Sequence, residues 1–190
     1  MRKIILASRS KAREKLLKQI GVRFQVAKSA VSENHRLKKS CKGLVIQNAL
    51  AKATDVARRF HSGVVIGADT VVFAGGKIIG KPKSLQDAFK TLKLLSQKPQ
   101  WVYTGIAVVD IDHAKTFTDY EKTKIYMYHL TDSQIRSYFK KVSPLDKAGS
   151  FDIQGLGSIF IDRIEGCFYN VVGLPLAKLA RMLKKAGVEV

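Results

Sequence analysis

Val64-Val65-Ile66-Gly67-Ala68, followed by Asp69-Thr70, is the stretch on which the fold turns. Five apolar residues without alternation predict a strand buried on both faces and ending at Asp69. Beyond it, residues 71–73 and 77–79 flank Ala74-Gly75-Gly76, which signals a hairpin. A strand buried on both faces needs helices packed against its sheet, and open α/β sheets place ligands at the C-terminal edge of such strands. Asp69 is therefore either a turn residue that ends the strand or a carboxylate in a site, and spacing alone leaves both readings open. Acids are scarce, 15 Asp and Glu against 34 Lys and Arg, so each carboxylate is easier to single out.

Toward the N-terminus, residues 3–7 read as a short buried strand. Ser10 then caps a helix reaching about residue 20, with Leu16, Leu17 and Ile20 on one face and Gly21 suited to its end. Residues 22–27 alternate as a second strand, and 28–40 are polar and read as a loop. A long helix follows over 42–59, with Val45, Ala49, Ala53, Val56 and Phe60 on its apolar side. Toward the C-terminus, Ser84 with Asp87 starts a helix carrying Ala88, Leu92 and Leu95 inward. Residues 102–111, 123–128 and 158–164 read as strands. Thr131 with Gln134 forms a capping box, and Pro175 opens a last helix ending near 186. Helix crossovers alternate with hairpins, which predicts an α/β protein with a mixed β-sheet and flanking helices.

At 190 residues the chain fits one domain, or two lobes sharing one sheet. Cys41 and Cys167 lie far apart and outside any CxxC pair, which predicts free thiols in a cytoplasmic protein. His35, His61, His113 and His129 lack ligand spacing, which disfavours zinc. No apolar run approaches the ~20 residues of a membrane span, and the N-terminal apolar run is too short for a signal peptide. The net charge of +19 attracts phosphates of any kind. A solvated basic surface, a nucleic-acid partner and a small phosphorylated substrate all fit it. The positive residues are spread along the chain, which disfavours a disordered nucleic-acid arm.

Four segments are candidates for chemistry. Leu6-Ala7-Ser8-Arg9-Ser10-Lys11-Ala12-Arg13 runs from strand to helix N-terminus, where free N–H groups and the helix dipole suit anions. An ordinary helix cap with a surface arginine explains the same residues. Gly67-Ala68-Asp69-Thr70 is the second. The third, residues 75–82, nearly spells a P-loop, but Pro82 stands where the hydroxyl residue belongs and the segment reads as a hairpin arm. Only Lys81 is retained there as a phosphate contact. The fourth, residues 146–155, is a glycine-punctuated polar loop of the kind that carries binding groups, or a long surface turn.

In order and spacing, these segments resemble the Maf family. The motifs are Leu6-Ala7-Ser8, Ser10, Arg13 and Leu16-Leu17; Ala49 with Lys52-Ala53; Gly67-Ala68-Asp69-Thr70-Val71-Val72; Gly80-Lys81-Pro82; Tyr103-Thr104-Gly105; Asp146-Lys147-Ala148-Gly149 with Ile153-Gln154-Gly155; and Asn170-Val171-Val172-Gly173-Leu174-Pro175-Leu176. The match runs over residues 4–183, and its Ile153-Gln154-Gly155 and Asn170-Val171-Val172-Gly173 versions look like the subfamily acting on dTTP and UTP.

The resemblance implies one domain over 1–190 with two lobes around a central cleft, similar to inosine triphosphate pyrophosphatases. It implies hydrolysis of dTTP or UTP between the α and β phosphates, dependent on magnesium or manganese, giving monophosphate and pyrophosphate. House-cleaning of modified nucleotides is a related expectation. By position, Asp69 becomes the proton acceptor. Glu33 and Asp69 are placed near metal, Ser8, Arg13, Lys52 and Lys81 near phosphates, and Thr70 and Gln154 at positions linked to base selection. A homodimer is expected. The alternative reading is a basic nucleic-acid-binding or cell-division (septum) regulatory protein, but no RRM, zinc-knuckle or helix-turn-helix signature supports nucleic acid as the main partner. Two departures stand out. Lys11 and Ala12 replace the usual proline and first arginine of the opening motif, and Gln100 stands where the family often has histidine.

Overall fold

The computed structural model describes residues 2–32, 40–145 and 147–190. Glu33, assigned above to metal, and Asp146 lie outside the described residues. Among these residues seven strands form one sheet, in the order β2-β1-β3-β5-β6-β7, with β4 paired to β3. The strands are β1 (Ile4–Ala7), β2 (Gln25–Val26), β3 (Val64–Ala74), β4 (Lys77–Ile79), β5 (Gln100–Asp110), β6 (Lys115–Met127) and β7 (Ile161–Glu165). β1 runs parallel to β2 and β3, whereas β3–β4 and β6–β7 are antiparallel, so the sheet is mixed as expected. The chain divides into two compact units. The first comprises Met1–Thr70, Tyr103–Glu121 and Tyr169–Val190, and the second Val71–Val102 and Lys122–Phe168.

In the first unit, strand alternation sorts the core. Val64, Ile66, Ala68, Ile106 and Val108 pack with helices α1 (Lys11–Gln19) and α6 (Leu176–Lys185) through Leu16, Leu17, Leu179 and Leu183. Val65, Ala107, Ile5 and Ala7 point the other way, onto Ala49, Ala53 and Val56 of α2 (Cys41–Ala57). Successive residues of a strand face opposite sides, so one strand feeds two helical layers. α1 starts where the sequence places it, with the Ser10 side chain accepting the Arg13 N–H, and Gly21 follows with φ 73°.

The second unit buries Ala88, Leu92 and Leu95 of α3 (Leu85–Leu95), together with Ile135 and Tyr138 of α4 (Asp132–Lys141). The Thr131–Gln134 capping box forms at the start of α4. The Tyr138 and Phe160 rings meet edge-on at 5.0 Å. The hairpin turn at Gly75 and Gly76 takes φ 57° and 79°, the left-handed pair a tight β-turn of this kind requires.

Four strands differ from the sequence expectation, one of them β6, which begins at Lys115 and not at 123. β3 does not end at Asp69 but continues to Ala74, because Thr70-Val71-Val72 favours extended backbone and nothing there breaks pairing. Residues 22–27 yield only the two-residue, exposed edge strand β2. The strand expected over 158–164 begins only at Ile161, since Ser158 N donates to Gly155 O at 3.0 Å and closes a 3₁₀ turn, Leu156–Phe160, ahead of it. A short helix α5 (Phe168–Val172) also forms, over residues for which no helix was expected. No helix among the described residues is long and apolar enough to cross a membrane.

Candidate active site

Asp69 and Thr70 are neighbours on β3 and therefore point to opposite faces of the sheet. Asp69 follows Val65 onto the α2 side, and Thr70 follows Ala68 onto the α1 side. The two halves of the candidate site originate in that single alternation.

On the α2 side, Asp69 is only 3% exposed. Lys52 Nζ donates to its Oδ1 at 2.7 Å, and Asn48 Nδ2 to its Oδ2 at 2.9 Å. Lys52 also reaches the Ala68 carbonyl at 3.4 Å. Asn48 and Lys52 are i,i+4 neighbours in the buried stripe of α2, whose other members are apolar or Cys41. Two glycines let α2 come close enough for this contact. A Cβ on Gly67 would run into the Ala49 carbonyl, and one on Gly105 into the Val45 carbonyl.

On the α1 side, Arg13 is held by three acceptors. Its Nε donates to Gly173 O at 2.8 Å, its Nη1 to Ser8 Oγ at 3.3 Å and its Nη2 to Thr70 Oγ1 at 2.9 Å. Thr70 Oγ1 lies 2.9 Å from Thr104 Oγ1, and Thr104, fully buried, donates to Asn170 O at 3.1 Å. Ser8 Oγ accepts from Ser10 N at 3.1 Å as well as from Arg13, so its own proton remains directed elsewhere. Gly173 takes φ 116°, a backbone state that aims its carbonyl at Arg13 and that a side chain would strain.

The first unit thus holds Ser8, Arg13 and Thr70 in one cluster and Lys52 and Asp69 in a second on the opposite face of β3. Lys81 and Gln154 belong to the second unit. Lys81 is exposed, next to Gly80, whose carbonyl accepts from Gly149 N at 3.4 Å. The exposed Gln154 donates its backbone N–H to Asp152 Oδ1 at 2.9 Å, an Asx turn that shapes the loop. Of the two departures from the family pattern, Lys11 in the opening motif is 83% exposed and paired to Glu14 at 3.0 Å. Gln100 is fully buried, with Nε2 against Met127 Sδ at 3.0 Å and Oε1 without a partner among the described residues. The sequence reading assigned no role to Asn48, Thr104, Asn170 or Gly173. A signal existed for Asn48, which is a polar residue on the apolar stripe, one turn before Lys52.

Among the described residues no group of three or more His, Cys, Asp or Glu side chains is arranged to hold a metal ion. A protein-built metal cage does not fit these residues. A magnesium or manganese ion that keeps most of its ligands as water and phosphate oxygens does fit, because each Asp69 oxygen has one donor and retains lone-pair capacity.

The chain is similar to known proteins over its full length. A dTTP/UTP pyrophosphatase of Methanosarcina barkeri is 47% identical over 191 aligned residues, covering 100% of this chain and 97% of that protein. Proteins of the same description from Bacillus anthracis and Caldicellulosiruptor bescii are 45% and 42% identical, with coverage of 100% of this chain and 98% and 97% of theirs. The Staphylococcus aureus Ham1 protein superimposes with a TM-score of 0.54 at 15% identity, over 96% of this chain and 98% of that one, which shows a shared fold. The family model described as Maf-like protein matches residues 3–186, and the chain belongs to the Maf family.

Proposed function

We propose that this chain is a nucleoside triphosphate pyrophosphatase that hydrolyses dTTP and UTP to the monophosphate and pyrophosphate. The observation that carries the reading is Asp69, a buried carboxylate held on one oxygen by Lys52 and on the other by Asn48. Full-length relatives described as dTTP/UTP pyrophosphatases support the substrate. The net charge of +19 suits a polyanionic substrate. The two compact units are read as lobes of a single Maf domain.

Water must reach the α phosphorus of an anion carrying close to four negative charges. The incoming phosphates compete with Asp69 for the Lys52 ammonium. That exchange screens the phosphate charge and frees an Asp69 oxygen to take the proton of the attacking water. A water oxygen–phosphorus bond forms, the bond from the α phosphorus to the bridging oxygen breaks, and the electron pair leaves on pyrophosphate. Arg13 arrives already oriented by Ser8, Thr70 and Gly173 and adds fixed positive charge. Ser8, whose hydroxyl accepts two hydrogen bonds, presents its proton to a phosphate oxygen. Lys81 and Gln154 take the phosphate and base roles that the family resemblance gives them. Asp69, with Glu33 as the second acid by that resemblance, would hold a magnesium or manganese ion, which supplies neutralisation of triphosphate charge.

The test is pyrophosphate release from dTTP and UTP by purified protein, after chelation and after return of magnesium or manganese. Release that needs the metal supports the reading. Equal release in excess chelator refutes metal dependence, and no release under any condition refutes the function.

A further inference from the structure

β5, β6 and β7 are neighbours in the sheet, and strand alternation divides their side chains between its two faces. In the second unit, Gln100, Val102, Thr123 and Ile125 are buried on one face. Trp101, Lys122, Lys124 and Tyr126 take the other, where each is half-buried or exposed. Across the β6–β7 ladder Arg163 sits opposite Tyr126 and Glu165 opposite Lys124, so both join that second face.

Rings and cations interleave there. Lys122 Nζ lies 3.7 Å from the centre of the Trp101 ring. Lys124 Nζ lies 5.3 Å from the same ring and 4.7 Å from that of Tyr126, so one ammonium serves two rings. The Arg163 guanidinium lies over the Tyr126 ring at 3.6 Å. A π face attracts a cation but brings no countercharge, so the positive field survives these contacts. Glu165 offsets part of it, pairing with Arg163 at 3.6 Å and accepting from the Tyr126 hydroxyl at 3.3 Å. Asp162 also pairs with Arg163, at 3.0 Å.

This chemistry selects among occupants. A second copy of the chain would bring like charge against like charge. An anionic lipid surface calls for apolar side chains that insert beside the cations, and the rings here lie under theirs. A duplex keeps its bases stacked on one another and shows a sheet face only phosphates. A single strand offers bases to ring and guanidinium planes and phosphates to ammonium groups at once.

We propose that this face of β5, β6 and β7 is a binding platform for single-stranded nucleic acid, a function beyond the pyrophosphatase reading. One base stacks on Trp101 and the next on the Arg163–Tyr126 layer. The phosphate between them lies on Lys124, and Lys122 holds a neighbouring one. The platform has no linear sequence signature because three strands distant in the chain assemble it. All its residues lie in the second unit.

Trp101 is the single tryptophan of the chain, so its fluorescence reports on this face alone. The full chain is titrated with short oligo(dT), oligo(U), a DNA duplex of equal length and linear polyphosphate. Single strands are expected to quench Trp101 and to bind more tightly than the duplex or polyphosphate, and oligo(U) against oligo(dT) tells RNA from DNA. The logarithm of affinity is expected to fall against the logarithm of salt with a slope of about −2, roughly −0.7 for each of three phosphates. Trp101→Leu, followed by anisotropy of a labelled strand, is expected to weaken binding by about five- to a hundredfold. Lys122→Gln with Lys124→Gln, at more exposed positions, keeps the proposal falsifiable if Trp101→Leu does not fold: its slope is expected to drop to about −0.7. Absent quenching, an unchanged affinity in Trp101→Leu, an unchanged slope in the double variant, or equal binding of polyphosphate overturns the proposal. So does displacement of the strand by a non-hydrolysable dTTP analogue, which makes the face part of a mononucleotide site. Binding to anionic vesicles with the same loss in Trp101→Leu assigns the face to lipid and overturns it as well. No step reads pyrophosphate release, so failure here leaves the pyrophosphatase reading intact, and the reverse.

Discussion

Asp69→Asn separates catalysis from structure, because Asp69 is the proposed general base and also one half of a buried ion pair. The amide keeps the shape of the carboxylate but cannot take up a proton at neutral pH, so loss of the general base is expected to lower turnover by roughly 10²–10⁴-fold. Stability changes as well. Lys52 and Asn48 each donate to a different Asp69 oxygen. An asparagine has one oxygen for two donors, so Lys52 and Asn48 cannot both keep the bonds they make to the carboxylate. The Lys52 ammonium, 8% exposed, then loses its carboxylate inside the protein. Removing one partner of a buried ion pair costs about 3 kcal/mol, equivalent to a fall in Tm of roughly 6–12 °C for a chain of this size. The assay pairs pyrophosphate release with a thermal melt in the same buffer, below the lowered transition. Lys52→Met combined with Asp69→Asn removes both buried charges and is expected to recover part of the lost Tm without recovering turnover. Near-normal turnover in folded Asp69→Asn refutes Asp69 as the base. An unchanged Tm refutes the energetic weight given to the buried pair.

Other perturbations probe the framework around that pair. Gly105→Ala drives a Cβ into the Val45 backbone, so it is expected to destabilise by about 1–3 kcal/mol and to reduce pyrophosphate release further than the melt alone explains, since α2 carries Asn48 and Lys52. Ser150 is fully buried, takes φ 67° and has no partner for its hydroxyl among the described residues; Ser150→Gly is expected to stabilise by about 1 kcal/mol, once left-handed strain is set against the greater freedom of glycine in the unfolded chain, and so to raise Tm, and a lower Tm contradicts this. Asp110 has its carboxyl drawn down to about 2, first by the Arg2 guanidinium and then by His113. A folded-state value below the unfolded one gives stability that is present above about pH 4 and is lost as pH falls toward 2. The Tm advantage of wild type over Asp110→Asn should therefore shrink across that window, and a constant difference refutes the assignment.

Much of this structure was legible in the sequence where local chemistry alone decides it. Ser10, Ser84 and Thr131 each accept from a backbone N–H three residues on, as their capping patterns require. The Gly75-Gly76 turn folds as a hairpin because only glycine takes two successive left-handed positions without strain. The apolar run at 64–68 locates the central strand, but its end was misread. A lone aspartate resembles a turn residue, and only α2, distant in sequence, supplies the lysine and asparagine that let β3 carry a charge through its buried middle. β6 begins at Lys115, earlier than expected, because polar residues at 115–122 hide an extended segment when only apolar alternation is scored. For the site, Asp69, Lys52 and Arg13 could be named from the family motifs. That Arg13 is clamped through Thr70 and Thr104 to the Asn170 carbonyl depends on long-range contacts, for which single-residue chemistry gives no sign.

The most direct test of the central claim is hydrolysis of dTTP in heavy-oxygen water, with both products analysed by mass spectrometry. Attack at the α phosphorus, with Asp69 taking the proton, requires the heavy oxygen to appear in the monophosphate and the pyrophosphate to emerge unlabelled. Label in pyrophosphate, or release of inorganic phosphate through a diphosphate, would contradict it.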